Sequence, residues 1–220
     1  MITLRQTIRT LLVLFLALHI QSCKRNTETN YHIRGQVTDA DDGTALAGVS
    51  IEIEKQVVQN GIYGNTYQNA LVTSTNSSGA FEGSWLRENF AALRLLATKD
   101  NYITSEKPLD VDDFEGGSAV IQNVAIYKEA FSSLRFQHFN GSSNDRLSFT
   151  FLNAIFDCNC CSNGWKTWQG ADIDTTLTCR AYGNRWLKYQ VLTQLGSSDT
   201  SYVDSIYCEA FTTTSRNIQY

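Results

Sequence analysis

The chain has 220 residues, of which 42% are hydrophobic and 18% charged, and its formal net charge at pH 7 is −4. Residues 1–22 hold two of the 18 basic residues and none of the 22 acidic ones, so the rest of the chain carries 18 − 2 = 16 basic and 22 acidic residues, a net charge of −6. Nucleic-acid binding requires basic stripes that neutralise phosphates, and we therefore exclude nucleic acid as a partner.

The first 22 residues are typical of a secretion signal. Arg5 and Arg9 precede an apolar run, LLVLFLALHI, over residues 11–20. Ten helical residues rise about 15 Å, half of the ~30 Å that a membrane-spanning helix needs. A short apolar run behind basic residues is the pattern of a secretory signal, so the sequence predicts a signal peptide over residues 1–22.

Residues 20–23 read IQSC, which resembles the lipobox cleaved by lipoprotein signal peptidase. The resemblance implies that Cys23 carries the lipid and that residues 23–30 form a polar tether. The alternative, a disulfide at Cys23, is less favoured because the next cysteine is Cys158, 135 residues away. Stable anchoring takes more than one acyl chain. We expect lipid anchoring in the bacterial cell envelope, at the outer membrane, with the periplasmic and surface faces both open.

The residues after the tether form short runs that alternate apolar and polar side chains, which predicts an all-β protein. Turn residues at positions 41–43 (DDG) and 76–79 (NSSG) separate some of these runs. Repeated short strands at near-regular spacing predict a β-sandwich over residues 31–128. Its predicted strands cover residues 32–39, 48–54, 70–75, 80–85, 91–99 and 120–127.

Three segments of this first module resemble the carboxypeptidase regulatory-like domain. Residues 33–39 (IRGQVTD) match a strand ending in G-x-V-x-D, residues 43–49 (GTALAGV) match the following turn, and residues 78–81 (SGAF) match a later turn and strand. Ala45 and Asn76 stand where the family usually has Pro and Asp. The resemblance implies a transthyretin-like, seven-stranded sandwich and carries no catalytic residue across.

A second set of strands is predicted in residues 129–220, which we interpret as a smaller β-sandwich packed against the first. The overall prediction is a transthyretin/immunoglobulin-like β-sandwich followed by a second small one, and the alternative is a single strand-swapped unit. Two-part lipoproteins of Bacteroidetes-type bacteria are similar in architecture. The predicted strands cover residues 134–139, 146–151, 175–182, 186–192, 202–211 and 217–220, with a short hairpin loop at residues 183–185.

The second module holds five cysteines, for which export makes disulfides the expected state. A bridge between Cys179 and Cys208, or from either to the loop at residues 158–161, would join parts of the sandwich. Because five is odd, at least one thiol is free or paired between chains. A soft-metal site of clustered thiolates is the alternative, but no histidine is near, so we predict no metal and no cofactor. The five candidates are Cys158, Cys160, Cys161, Cys179 and Cys208.

Trp165 and Trp168 are the candidate ligand-binding residues, since exposed indoles can stack on sugar rings. Residues three apart in a strand point to opposite faces, so a shared platform requires a turn between them. The alternative is that both rings pack over the end of the sandwich. The acidic segments at residues 39–43 and 110–117 could supply calcium ligands, although solvated loops are the favoured interpretation.

The chain offers little for catalysis. Beyond the signal its only histidines are His32 and His138, 106 residues apart, and neither lies in a zinc-protease motif. A serine triad needs a histidine beside a nucleophile and a third orienting group. A glycosidase needs only two carboxylates, but no acid lies in an apolar setting that would raise its pKa. We therefore expect no enzyme and predict no catalytic residue.

Two hypotheses on function follow. The first is a non-catalytic cell-envelope lipoprotein that acts as a binding or assembly accessory module for a protein partner. The alternative is a surface glycan-binding or adhesin-like lipoprotein, which depends on Trp165 and Trp168.

Overall fold

The computed structural model describes residues 30–59, 62–153 and 164–220. The predicted signal peptide, Cys23 and Cys158, Cys160 and Cys161 lie outside these residues. Within the described part there is no helix long and apolar enough to cross a membrane. The strands are β1 (Asn30–Asp39), β2 (Ser50–Gln59), β3 (Ile62–Ser74), β4 (Ala80–Leu86), β5 (Phe90–Thr98), β6 (Ser105–Leu109), β7 (Val120–Ile121), β8 (Val124–Ile126), β9 (Glu129–His138), β10 (Arg146–Phe151), β11 (Lys166–Gln169), β12 (Ile173–Tyr182), β13 (Arg185–Leu195), β14 (Ser198–Cys208) and β15 (Thr213–Gln219).

These strands confirm the all-β prediction, and they form β-sandwiches. Strands β1–β8 build two sheets, one with the order β4-β1-β7, in which β8 also pairs with β1, and one with the order β3-β2-β5-β6. Inward-facing side chains of both sheets form one core, because alternate residues of a strand face the same side. Its fully buried members include Val37, Ile51, Ile53, Leu95 and Ile126.

The predicted strand at residues 120–127 is in fact two short strands, and Gly35 explains the interruption. Both β7 and β8 run parallel to β1, but they pair with different parts of it. Between them the chain crosses directly over Gly35, where a Cβ would lie 1.7 Å from the carbonyl oxygen of Gln122. The Gln122 N–H donates to the carbonyl of Arg34, which holds the crossing in place. The glycine of the G-x-V pattern is therefore required by this close approach.

The sequence missed β6 and shortened β3. Strand β6 contains Pro108, which cannot donate a ladder hydrogen bond and is therefore typical of edge strands. It does lie at the edge of its sheet, paired only with β5. Strand β3 is also an edge strand, and its polar residues, such as Gln68 and Asn69, hide the alternation that a half-buried strand shows.

Strands β9–β15 build two further sheets, with the orders β11-β10-β13-β14 and β12-β9-β15. They enclose a second core, which includes Leu134, Phe136, Phe149, Tyr189 and Val191. None of the sheets in the described residues combines strands from the two sets.

The hairpin predicted at residues 183–185 is wrong. Strand β12 pairs with β9, whereas β13 pairs with β10 and β14, so this connector crosses from one sheet to the other. Gly183 fits closely against Ala210 and Lys128, and Asn184 adopts a φ of 56°. The true hairpin joins β13 to β14 through Gly196, which has a φ of 59°. Each connector has two residues, 183–184 and 196–197, and contains a glycine, so only the pairing of the whole strands distinguishes the sheet crossing from the hairpin.

Candidate functional site

The two sandwiches meet end to end. We call their contact the junction: residues 39–44, 101–102 and 127–128 on the first side, and residues 180–185 and 209–212 on the second. The Glu129 N–H donates to the Asn101 carbonyl at 2.8 Å, and the Gly183 N–H donates to the Lys128 carbonyl at 2.8 Å. The main chains of the two modules are thus tied directly to each other.

Asp39 is the buried charge of the junction, with 3% of its surface exposed. Its carboxylate accepts hydrogen bonds from the Asp41 N–H at 2.9 Å and the Tyr102 hydroxyl at 3.1 Å, and it forms an ion pair with Lys128 at 2.8 Å. Burial by itself would raise the pKa of Asp39, but the hydrogen bonds from Lys128, Asp41 and Tyr102 outweigh it and lower the pKa. Asp39 is therefore held as a carboxylate.

The acidic loop after β1 is neutralised by a lysine of the chain itself. The Lys128 ammonium lies 3.7 Å from Asp41 and 3.5 Å from Asp42, in addition to its contact with Asp39. Its charge thus lies where a calcium ion would have to bind. Among the described residues no group of three His, Cys, Asp or Glu side chains could hold a metal ion.

Aromatic and guanidinium groups cover the rest of the junction. The Arg185 guanidinium lies 4.8 Å from the centre of the Tyr127 ring, which in turn lies 4.5 Å from the Tyr182 ring. The Tyr102 and Phe211 rings meet edge to face at 5.8 Å. Planar groups from both modules thus interleave at the junction.

The two modules carry their far ends on strands that meet at the junction. Strand β1 begins at Asn30 and ends at Asp39 in the junction, while β9 begins at Glu129 beside the junction and ends at His138. A ten-residue strand spans about 30 Å. His138 therefore lies about one strand length from the junction, at the other end of the second module.

Exposed large hydrophobic side chains are concentrated in the second module. Of the twelve among the described residues, nine lie between residues 131 and 211, and these nine include every aromatic one. Scattered apolar residues on a surface need no explanation, whereas a contiguous group indicates an interaction site.

Four of these side chains lie on the outer side of the sheet β11-β10-β13-β14, because their chain neighbours Phe151, Leu187 and Ile206 face the second core. We call this group the outer aromatic face: Leu152, Trp186, Val203 and Tyr207. Trp186 and Tyr207 are directly opposed in the register of β13 and β14, and their rings meet at 5.4 Å with an interplanar angle of 63°. Trp186 is 57% exposed and Val203 59%.

Asn153 fixes the strand that carries Trp186. Its side-chain amide donates to the Trp186 carbonyl at 2.9 Å, and its side-chain oxygen accepts from the Lys188 N–H at 2.7 Å. A shallow recess beside the indole is lined by Asn153, Arg180 and Arg185. All three have protein partners, since Arg180 pairs with Glu129 and Arg185 with Asp41 at 3.4 Å. The recess therefore offers few polar groups that are not already engaged.

The structure separates the two tryptophans that the sequence indicated. Trp168 lies in β11, packs against the second core, and stacks on Phe136 at 5.4 Å and 30°. Trp165 precedes β11 and is 50% exposed. The two indoles do not form a shared platform, because β11 continues through both intervening residues without a turn. Trp186 and Tyr207, which the sequence reasoning assigned only to strands, give the exposed aromatic pair instead.

Two cysteines lie in the described residues, and they differ in state. Cys179 is disulfide-bonded, whereas Cys208 is a free, buried thiol. The Cys179–Cys208 bridge, one of the alternatives that the sequence left open, is therefore wrong. Burial raises the pKa of the Cys208 thiol to about 11, which keeps it protonated and unreactive.

Comparison with known proteins adds little beyond the fold. No protein-family model and no curated protein sequence matches the chain. Among solved structures, the chain is similar to the TIE protein of Bacillus anthracis (11% identity, TM-score 0.37, 87% of this chain and 34% of that one). It is also similar to a streptococcal ancillary pilin (16%, 0.32, 88% and 63%) and to the shaft pilin SpaA of Lactobacillus rhamnosus GG (10%, 0.31, 88% and 97%).

The chain thus spans less than two thirds of the first two of these structures. At such identities and TM-scores the three likenesses say nothing about activity or partners.

Proposed function

We propose that this protein is a non-catalytic lipoprotein of the cell envelope, in which the first sandwich is a spacer and the second binds a protein partner through the outer aromatic face. The observation that carries the proposal is the uneven surface: the exposed aromatic side chains of the described residues all lie in the second module. Exposed tryptophan and tyrosine dominate the energetics of protein–protein interfaces.

The anchoring part of the proposal rests on the lipobox-like IQSC at residues 20–23. Lipid at Cys23 and a tether over residues 23–30 would attach the protein, at the outer membrane, by the end of β1 that points away from the junction. The outer aromatic face, whose Trp186 follows the junction residue Arg185, would then stand one strand length, ~30 Å, from the tether.

The first module would be a carboxypeptidase regulatory-like sandwich. Its turn glycines support this, because Gly48 and Gly79 have φ values of 68° and 73°, which side chains rarely adopt. A Cβ at Gly79 would also lie 2.6 Å from the Val37 carbonyl oxygen. In the second module, the proposed disulfide would join Cys179 to a cysteine of the loop at residues 158–161.

A protein partner fits the outer aromatic face better than a glycan does. Glycan sites combine an aromatic ring with polar groups that bind hydroxyls, but the polar groups beside Trp186 already contact the protein's own residues. Leu152 and Val203 add aliphatic surface to the two rings. Such a group suits burial against another apolar surface.

The experiment is cross-linking in intact cells of the native host, followed by extraction in mild detergent and quantification of what co-purifies. We expect one stoichiometric envelope protein, lost in Trp186→Ala and Tyr207→Ala. Truncation of a central tryptophan costs ~2 kcal/mol or more, about 30-fold in Kd. Val72→Ala removes an equally exposed side chain from the first module and should retain the partner. Equal recovery with Trp186→Ala and with Val72→Ala would refute the role of this face.

The glycan hypothesis remains the second candidate because Trp165 is exposed. Its test is a glycan array with the lipidated protein in detergent micelles. Binding that disappears in Trp165→Ala, with the fold intact by circular dichroism, would favour it over the protein partner. Binding that survives this substitution would exclude Trp165 as the site.

A further inference from the structure

A buried histidine–aspartate pair lies at the end of the second module that is farthest from the junction. His138 is the last residue of β9, and Asp145 directly precedes β10. Only 8% of His138 and 4% of Asp145 is exposed. The His138 Nε2 lies 3.0 Å from the Asp145 Oδ2.

Asp145 connects two loops through its carboxylate. One oxygen accepts the Ser142 N–H at 2.8 Å, within the β9–β10 connection, and the other accepts the Gly196 N–H at 3.0 Å, in the β13–β14 hairpin. The hairpin is thus attached to the end of β9 through the pair. A side chain at Gly141 would displace the ring, since a Cβ there would lie 2.1 Å from the His138 Nε2.

The other ring nitrogen of His138, Nδ1, contacts Tyr220, the residue that follows β15. The His138 Nδ1 lies 2.6 Å from the main-chain oxygen of Tyr220, and the two rings stack at 4.9 Å with an angle of 10°. The Tyr220 hydroxyl is buried and has no hydrogen-bond partner among the described residues. An unsatisfied buried hydroxyl is energetically unfavourable. The contacts of His138 with Tyr220 therefore keep the Tyr220 hydroxyl buried in spite of this desolvation cost.

Both ring nitrogens therefore face oxygen acceptors, and only the doubly protonated imidazolium can donate to both. In the neutral ring one nitrogen lone pair would face an oxygen lone pair at 2.6 or 3.0 Å. The carboxyl groups that face the ring are those of Asp145 and Asp172, and the Tyr220 phenol ring stacks on it. Asp172 itself accepts the Asn140 N–H at 3.3 Å.

We propose that His138 is a proton-dependent latch: when protonated it holds the end of β15 and the β13–β14 hairpin against β9, and when it loses the proton it releases both. The proposal is independent of the function proposed above, because it concerns only the contacts of this buried pair.

The direction of the pKa shifts agrees with this geometry. The hydrogen bond to the Tyr220 oxygen and then the one to Asp145 raise the pKa of His138 above 6.5. Hydrogen bonds from Ser142 and then from His138 lower the pKa of Asp145 below 3.8. The stabilisation from His138 is complete below its unfolded pKa and is lost as pH rises through its folded pKa, whereas that from Asp145 is lost only as pH falls through its own folded pKa.

The test uses the lipidated protein in detergent micelles, with ¹³C-labelled histidine. We expect the pKa of His138 to lie above the ordinary histidine value of 6.5. Between the ordinary histidine pKa of 6.5 and the raised folded pKa of His138, hydrogen-exchange protection of Gly196 and Ile218 should fall about tenfold per pH unit, after correction for the intrinsic rate, because one proton is released on opening. Above the folded pKa the protection should become independent of pH, because neither state then holds the proton.

His138→Gln should abolish this pH dependence, while the matched His32→Gln should keep it. A pKa of His138 at or below 6.5 would overturn the proposal, and so would pH-dependent opening that persists in His138→Gln. The titration needs no variant, so it decides the question even if His138→Gln does not fold.

Discussion

At the scale of single residues, side chains that the sequence singles out are explained by their immediate neighbours. Gly35 is a clear example, since its pattern in the sequence is that of an ordinary strand residue. Its structural reason is the crossing between β7 and β8, where the Gln122 carbonyl occupies the space that a Cβ would need. The sequence pattern marks Gly35 as a motif position, but it does not show that the distant segment around Gln122 packs against it.

Gly35→Ala should destabilise the protein strongly. A Cβ 1.7 Å from a backbone oxygen forces β7 and β8 away from β1, and overpacking of this kind costs ~3 kcal/mol. Gly116→Ala is the matched control, because a Cβ there meets nothing within 4 Å. Urea unfolding of both variants measures the difference, and equal midpoints would contradict the account of Gly35.

The two tryptophans should also respond differently to truncation. Trp168→Ala removes a half-buried ring from Phe136 and should cost ~2 kcal/mol of the free energy of unfolding. Trp165→Ala removes an exposed ring and should change this free energy by no more than ~0.5 kcal/mol. Thermal unfolding of the two variants checks this, and a larger loss for Trp165→Ala would show that its indole packs against the protein.

At the scale of elements, the junction depends on contacts that no single strand contains. Asp39 ends β1, Tyr102 follows β5, and Lys128 lies between β8 and β9. These three residues are distant in sequence, yet they surround one buried carboxylate. The acidic loop that the sequence offered as a calcium site instead forms ion pairs with Lys128.

Lys128→Met should destabilise the protein by ~3 kcal/mol, because it leaves the buried Asp39 carboxylate without its cation. The loss should be greatest near neutral pH and should shrink as pH falls through the folded pKa of Asp39, which lies below its ordinary value. Lys107→Met, at an exposed position of β6, is the control. Chemical denaturation between pH 3 and 7 measures both, and a loss independent of pH would rule out the ion pair as its cause.

At the scale of the whole molecule, the first sandwich separates the predicted tether from the outer aromatic face, which lies on the second sandwich beside the junction. Main-chain hydrogen bonds and interleaved rings join the two sandwiches there. A rigid spacer keeps a binding surface at a fixed distance from its anchor, which a flexible linker of the same length would not do.

Small-angle scattering of residues 24–220 should therefore show an elongated particle. A compact chain of this length has a radius of gyration of ~16 Å, and two strand lengths in line predict a maximum dimension above ~60 Å with a correspondingly larger radius. A radius of gyration at the compact value would mean that the second module folds back against the first.

The sequence by itself determined the all-β class and most strands, because the alternation of apolar and polar residues is a local property. It located β10 to the residue, since its alternation is regular. It missed β6 and β11, which are short edge strands with little apolar signal. It took the loop at residues 183–185 for a hairpin, because turn residues fit a sheet crossing equally well.

Only the tertiary structure decided which residues meet. It paired Trp186 with Tyr207 across two strands, turned Trp168 into the core, joined Asp39 to Lys128, and enclosed His138 between Asp145 and Tyr220. Each of these contacts joins segments that are separate in sequence. Their proximity depends on strand order and register, which follow from the packing of the whole sandwich and not from the residues of any one strand.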